Sequence, residues 1–126
     1  MNVLLDTCAL LALAIGDLPA VAAKALRQAP DAYVSVVTPW EVAIKLAAGK
    51  LRLEEPPAEW FAGLLERYEL REIRLDAATA CAAAALPPLH RDPFDRVIVA
   101  LAQTHSLTVL TSDANIRKYQ GVATIW

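Results

Sequence analysis

Short apolar runs that end in an acid and lead straight into a helix start recur along this chain, and no other feature restricts its fold as much. Asn2 to Leu5 is the first such run; it ends at Asp6, and Thr7 then opens an apolar stretch that closes at Gly16. Ala32 to Val37 is β-branched and apolar enough for a fully buried strand. It is followed by Thr38-Pro39-Trp40-Glu41, a cap, a first-turn proline and an acid at the third helical position, heading a helix that should end at Gly49. Asp92-Pro93-Phe94-Asp95 repeats that arrangement, and beyond it Phe94, Val97, Ile98 and Leu101 fall at helical spacing. Leu107 to Leu110 reads as a further strand that delivers Thr111, Ser112 and Asp113 at its C-terminal end.

The remaining segments fit the same alternation. Asp17 is placed to cap a second helix with Pro19 in its first turn, running to about Gln28 and stopping near Pro30. Pro56 and Pro57 introduce a helix across Trp60, Leu64 and Leu65. Glu72 to Leu75 is a strand candidate, and Ala77 to Leu86 is Ala-rich and helical until Pro87 and Pro88 end it. A brief helix and a last strand over Val122 to Trp126 finish the series. Strands alternating with helices imply right-handed βαβ crossovers and an α/β fold, with a parallel sheet covered by helices on both faces. At 126 residues, with no repeat and no linker, one compact domain over residues 1–126 is expected.

Open α/β sheets bind ligands beyond the carboxyl ends of their strands, and there the topology places Asp6, Glu41, Asp95 and Asp113. Ionised carboxylates brought close together repel and raise one another's pKa, a conflict that a hard divalent cation removes. Mg²⁺ or Mn²⁺ suits a site of Asp and Glu oxygens, acidifies water, and stabilises charge on a leaving oxygen, which is the chemistry of phosphodiester hydrolysis. Each acid also has a structural explanation: Glu41 and Asp95 stand where a capping-box acid belongs, and Asp6, Asp92 and Asp113 can cap the helices that follow them. Only as an ensemble do the four acids point to a metal site.

Taken together, Val3-Leu-Leu-Asp-Thr7, Thr38-Pro-Trp-Glu-Val-Ala-Ile-Lys-Leu-Ala-Ala-Gly-Lys-Leu51, Leu89-His-Arg-Asp-Pro-Phe-Asp-Arg-Val-Ile-Val-Ala-Leu-Ala102 and Leu110-Thr-Ser-Asp113 resemble the PIN-domain toxins of bacterial toxin–antitoxin pairs, the VapC type. The motifs occur in the family's order and span nearly the whole chain. The resemblance implies a three-layer α/β/α sandwich with a parallel sheet of about five strands and Mg²⁺- or Mn²⁺-dependent endoribonuclease activity. It also implies a homodimer and a cognate antitoxin that occupies the active site. Position by position, Asp6, Glu41, Asp95 and Asp113 match the family's acidic tetrad as catalytic residues and metal ligands. Asp92 belongs to the His-Arg-Asp-Pro-Phe-Asp signature, with a water-mediated part in metal binding as one reading of it.

Other residues around these motifs carry lesser expectations. Thr7 and Ser112, each beside a proposed ligand, can hydrogen-bond a carboxylate or cap a helix. Lys45, four residues after Glu41, is placed for an ion pair with it or for a phosphate contact. Arg91, Arg96 and Arg117 are placed to meet a polyanion at the same edge, with solvated surface arginine as the plain alternative. His90 and His105 offer no nucleophile triad, and Trp40 and Trp60 read as core or interface residues rather than base-stacking platforms.

Twelve Lys and Arg against fourteen Asp and Glu give a net charge of -2, so the chain lacks the overall basic balance of a non-specific nucleic-acid binder, and a bound cation would have to provide local positive charge. Cys8 and Cys81 lie far apart with no metal-binding spacing, which points to reduced thiols and a cytoplasmic setting. The apolar N-terminus is interrupted by Asp6 and reads as neither signal peptide nor membrane span. Two rival readings stay open on the residues alone. A phosphoaspartate receiver or phosphatase would share the layout, although Asp6 has no acidic neighbour and Cys8 stands where such a phosphatase needs a second acid. A non-catalytic interaction module would use the acids only as caps.

Overall fold

A computed structural model describes residues 1–126 and contains a five-stranded, wholly parallel sheet in the order β3-β2-β1-β4-β5. The strands are β1 (Val3–Leu5), β2 (Ala32–Ser35), β3 (Arg71–Ile73), β4 (Thr108–Leu110) and β5 (Thr124–Ile125). Seven helices connect them: α1 (Thr7–Ala14), α2 (Ala20–Gln28), α3 (Val37–Ala47), α4 (Pro57–Arg67), α5 (Ala77–Ala85), α6 (Pro93–His105) and α7 (Ala114–Arg117). No helix is long and apolar enough to cross a membrane.

Period-two alternation along β1 divides the core into two layers. Val3 and Leu5 point into one cluster with Leu10, Val34, Phe61, Leu64 and Leu110, beneath α1, α2 and α4. Leu4 points the other way, onto Ile98, Val99, Leu101 and Ile116 of α6 and α7. A strand buried on both faces has no polar position to spare, which is why β1 is entirely apolar until the sheet ends. Central β1 is in register with both neighbours, Leu5 lying beside Val34 of β2 and Leu110 of β4. One residue further along, Asp6 and Thr111 stand side by side at the carboxyl edge.

Several boundaries differ from the sequence reading, each for a local reason. The second strand stops at Ser35 because the Ser35 hydroxyl accepts a hydrogen bond from the Val37 amide at 3.1 Å, turning the chain into α3 early. Thr38 is therefore inside the helix and fully buried, not its cap. Asp17 does not cap α2: the residue at the cap position is Pro19, and the Asp17 amide instead donates to Ala12 at the end of α1, at 2.8 Å. The third strand runs over Arg71–Ile73 rather than Glu72–Leu75. Gly16 and Gly49, read as helix ends, do sit past α1 and α3 with φ of +74° and +72°, the left-handed conformation that glycine adopts without a Cβ clash.

Arg96 departs furthest from expectation. Its guanidinium does not face solvent or a ligand but donates to the carbonyls of Ala83, Ala84, Leu86, Pro87 and His90 at 2.7–3.3 Å. These carbonyls lie where α5 ends at the paired prolines and in the loop that follows, and a planar five-donor fork reaches all five at once. The segment from Leu86 to Asp92 is thereby tied to α6. Arg96→Ala should lower unfolding free energy by about 3 kcal/mol and Arg96→Lys by about 2 kcal/mol, since charged hydrogen bonds are worth about 1.5–3 kcal/mol each and lysine retains few of them. Urea denaturation checks this; a loss under about 0.5 kcal/mol for alanine would contradict the brace.

Candidate active site

Each of the four acids reaches the carboxyl edge from a different turn. Asp6 leaves β1 and caps α1, its Oδ1 accepting from the Ala9 amide at 2.8 Å. Its Oδ2 accepts a short hydrogen bond from the Thr111 hydroxyl, and the same hydroxyl accepts from the Asp113 amide at 2.9 Å, so one threonine couples the exits of β1 and β4. Thr111, fully buried, has the role that the sequence reading offered to its exposed neighbour Ser112, which makes no side-chain hydrogen bond.

Glu41 is buried and does not cap α3. Its Oε1 accepts from the Thr7 hydroxyl at 2.6 Å and its Oε2 pairs with the Lys45 ammonium at 2.7 Å. Thr7 is thus a carboxylate donor as expected, and Lys45 forms the i,i+4 ion pair that its spacing allowed, its chain partly open to solvent.

The third turn begins with Asp92, whose Oδ1 caps α6 through the amides of Phe94 at 2.8 Å and Asp95 at 3.3 Å. The reciprocal half of a capping box is missing, because the Asp92 amide donates to Nδ1 of His90 at 3.2 Å and the Asp95 carboxylate turns into the site. There His90 Nε2 meets Asp95 Oδ2 at 3.0 Å and Asp113 Oδ2 at 2.8 Å. Asp113 also caps α7 through the Asn115 amide at 2.7 Å. His90, Asp95 and Asp113 offer a set of ligand atoms all within 4.8 Å of one another. The sequence reading missed His90 because it looked for a nucleophile partner; the available signal was its place inside the His-Arg-Asp-Pro-Phe-Asp segment.

Electrostatics confirm that the acids feel one another. Burial raises the Asp6 carboxyl pKa, with Asp113 and Glu41 adding to the rise against the hydrogen bonds from Thr111 and Ala9. Asp95 is pushed up to about 7, first by burial and then by Asp92, Glu41 and Asp6, with His90 opposing. Burial acts to raise Asp113 too, but hydrogen bonds from His90 and the Asn115 amide outweigh it and hold its carboxyl below the ordinary value. The protein thus offers an oxygen-rich, over-acidic set that its own cations only partly balance, which fits a hard divalent cation. The acids line none of the surface concavities; the largest, about 590 Å³ and lined by Ile15, Leu53, Trp60 and Arg67 among others, lies elsewhere. Trp40, read as core or interface, is 59% exposed and stands edge-to-face against Phe94 at 5.1 Å, while Trp60 packs on the core.

A raised carboxyl pKa fixes the sign of a stability effect. Between the ordinary carboxyl range and pH 7, folded Asp95 holds a proton that the unfolded chain releases, so stability falls as pH rises through that window. Asp95→Asn keeps an oxygen acceptor for His90 without the charge. In metal-free buffer at pH 8 it should melt higher than wild type by about 2 kcal/mol of stability, discounted for partial exposure, and the difference should shrink towards pH 5. Calorimetry at both pH values measures this, and a variant less stable at pH 8 would refute the assignment.

Comparison with known proteins agrees with this geometry. The PIN domain family model matches residues 3–122. A curated relative, Ribonuclease VapC22 of Mycobacterium tuberculosis, is 28% identical over 108 residues, covering 83% of this chain and 82% of its own. Among solved structures, VapBC2 from Rickettsia felis bound to a promoter DNA fragment has a matching chain at TM-score 0.71 and 15% identity, over 99% of this chain and 98% of its own. A toxin–antitoxin complex from Klebsiella pneumoniae matches at TM-score 0.66 and 23% identity, over 97% and 96%. With a family model spanning almost the whole sequence and the same fold in those structures, the chain belongs to the PIN domain family.

Proposed function

We propose that this protein is a Mg²⁺- or Mn²⁺-dependent endoribonuclease and the toxin of a toxin–antitoxin pair, its PIN unit extending over residues 1–126. The observation that carries the reading is the convergence of Asp6, Glu41, Asp95 and Asp113 on one edge with more negative charge than the Lys45 ammonium offsets. The similarity to Ribonuclease VapC22 supplies the substrate class, RNA, and the toxin–antitoxin structures supply the partner class, an antitoxin protein. We also propose a homodimer, for which exposed Trp40, Ile44 and Leu89 provide apolar surface.

In this reading Asp6, Asp95, Asp113 and Glu41 hold the cation or cations. A divalent cation bound there supplies Lewis acidity, acidifying water for attack on phosphorus and offsetting charge on the phosphate oxygens. Thr111 and the Ala9 amide fix both oxygens of Asp6, so its carboxylate is aimed before any ligand arrives. Thr7 and Lys45 do the same for Glu41, and the Lys45 ammonium, still partly exposed, can reach a phosphate. Asp95, protonated up to about pH 7, must release that proton when it takes up a cation. Asp92 stays the cap of α6 and raises Asp95 by its charge.

Purified protein freed of any antitoxin should cleave structured RNA in Mn²⁺ or Mg²⁺ and lose cleavage in EDTA. Asp6→Asn should reduce the rate by more than the ~10–100-fold that outer-shell partners of a metal are worth. Intact RNA with folded wild-type protein would defeat the nuclease reading. Cation affinity, read from the Mn²⁺-dependent rise in melting temperature, should weaken by about tenfold per pH unit below pH 7 as protons compete at Asp95. An affinity flat between pH 5.5 and 7 would show that Asp95 takes no part.

A further inference from the structure

We propose that His90 is a positioning residue: it donates its Nε2–H to Asp113 with the Asp95 carboxylate held against the same nitrogen, drawing two carboxylates onto one point, and does not itself ligate the metal. The inference rests on the metal-dependent reading above and assigns a role to the one histidine at the site.

Hydrogen-bond direction distinguishes a donor from a ligand here. Nδ1 of His90 lies 3.2 Å from the Asp92 backbone nitrogen, whose N–H can only donate. Nδ1 therefore presents its lone pair, and in a neutral imidazole the proton is then on Nε2. Nε2–H points at Asp113 Oδ2 at 2.8 Å, and Asp95 Oδ2, which can also only accept, lies 3.0 Å from the same nitrogen. A metal-bound imidazole needs the opposite arrangement, a lone pair towards the ion and an N–H on the far nitrogen facing a carbonyl or carboxylate. By distance alone, His90, Asp95 and Asp113 resemble a nitrogen–oxygen–oxygen ligand set; by direction, the histidine is a donor to the ligands.

The surrounding loop holds the ring in that orientation. The His90 amide donates to the Tyr119 hydroxyl at 2.9 Å, that hydroxyl donates to Pro87 at 2.8 Å, and the His90 carbonyl accepts from Arg96 at 3.0 Å. Tyr119 is buried, and the imidazole itself is only 11% exposed. A residue so fixed sets the separation of Asp95 and Asp113 before a cation arrives, and so lowers the ordering that binding requires.

Two substitutions separate the ring's two faces. Glutamine can place an amide N–H near the position of Nε2 and keep the donor to the carboxylates; asparagine can place an oxygen near Nδ1, keep the partner of the Asp92 amide, and withdraw the donor. Mn²⁺ titrations followed by electron paramagnetic resonance, with circular dichroism to confirm folding, should give His90→Gln within about threefold of wild type and His90→Asn weaker by about tenfold or more. Pulsed resonance on Mn²⁺-loaded wild type, which needs no variant, should show no directly coordinated nitrogen. A strong nitrogen coupling that disappears in His90→Gln would make His90 a ligand and overturn the proposal, as would equal Mn²⁺ affinity in all three proteins. Wild type that binds no Mn²⁺ at all would instead overturn the metal-dependent reading, and this inference with it.

Discussion

Crowding of like charge at the carboxyl edge of a parallel sheet is the constraint around which this molecule is built. Parallel strands all leave the sheet on the same side, so an acid placed after each one is forced towards its neighbours by topology alone. The burial of β1 on both faces makes the crowding worse, because it removes water from Asp6, and Asp95 at the start of α6 is desolvated as well. The protein meets this with directed donors and one countercharge, the Lys45 ammonium at Glu41. Backbone amides at helix starts take one oxygen of Asp6 and of Asp113, Thr7 and Thr111 reach Glu41 and Asp6, and the His90 imidazole N–H goes to Asp113 with Asp95 beside it.

Capping and ligation are therefore not competing explanations of these acids. Asp6 and Asp113 each use one oxygen to stabilise the helix that follows and leave the other turned to the site. Asp95, at the third position after its cap, and Glu41, further inside α3 than its motif implied, have no capping role. The Asp92 amide that would have received Asp95 is occupied by His90, which frees the Asp95 carboxylate for the site. Local stability and function use the same short segments, with Arg96 securing the loop that carries the histidine.

Much of this was legible in the sequence, and what was not has definite causes. Periodicity exposed β1, α6 and the parallel layout because buried strands and amphipathic helices have different repeats, and strand-exit acids became a cluster once the sheet was parallel. The resemblance to family motifs singled out the four acids as the proposed tetrad. Thr111 and Ser112 could not be told apart, since both are hydroxyls beside an acid and only the register of β4 against β1 puts Thr111 beside Asp6. His90 was missed because its role depends on a tautomer, which a backbone amide two residues away decides. Arg96 looked like a surface cation because nothing in its neighbours announces carbonyls thirteen residues upstream. The start of α3 shifted because Ser35, not Thr38, supplies the first turn's acceptor.

Whether the four acids form one cation site can be settled directly by a crystal structure of the protein grown with Mn²⁺, using anomalous scattering at the manganese edge to locate the ion. The account predicts one or two strong peaks at ligand distance from carboxylate oxygens of Asp6, Asp95 and Asp113, with Glu41 in direct or water-bridged contact. Manganese bound elsewhere on the surface, with these carboxylates facing only protein donors and water, would contradict it.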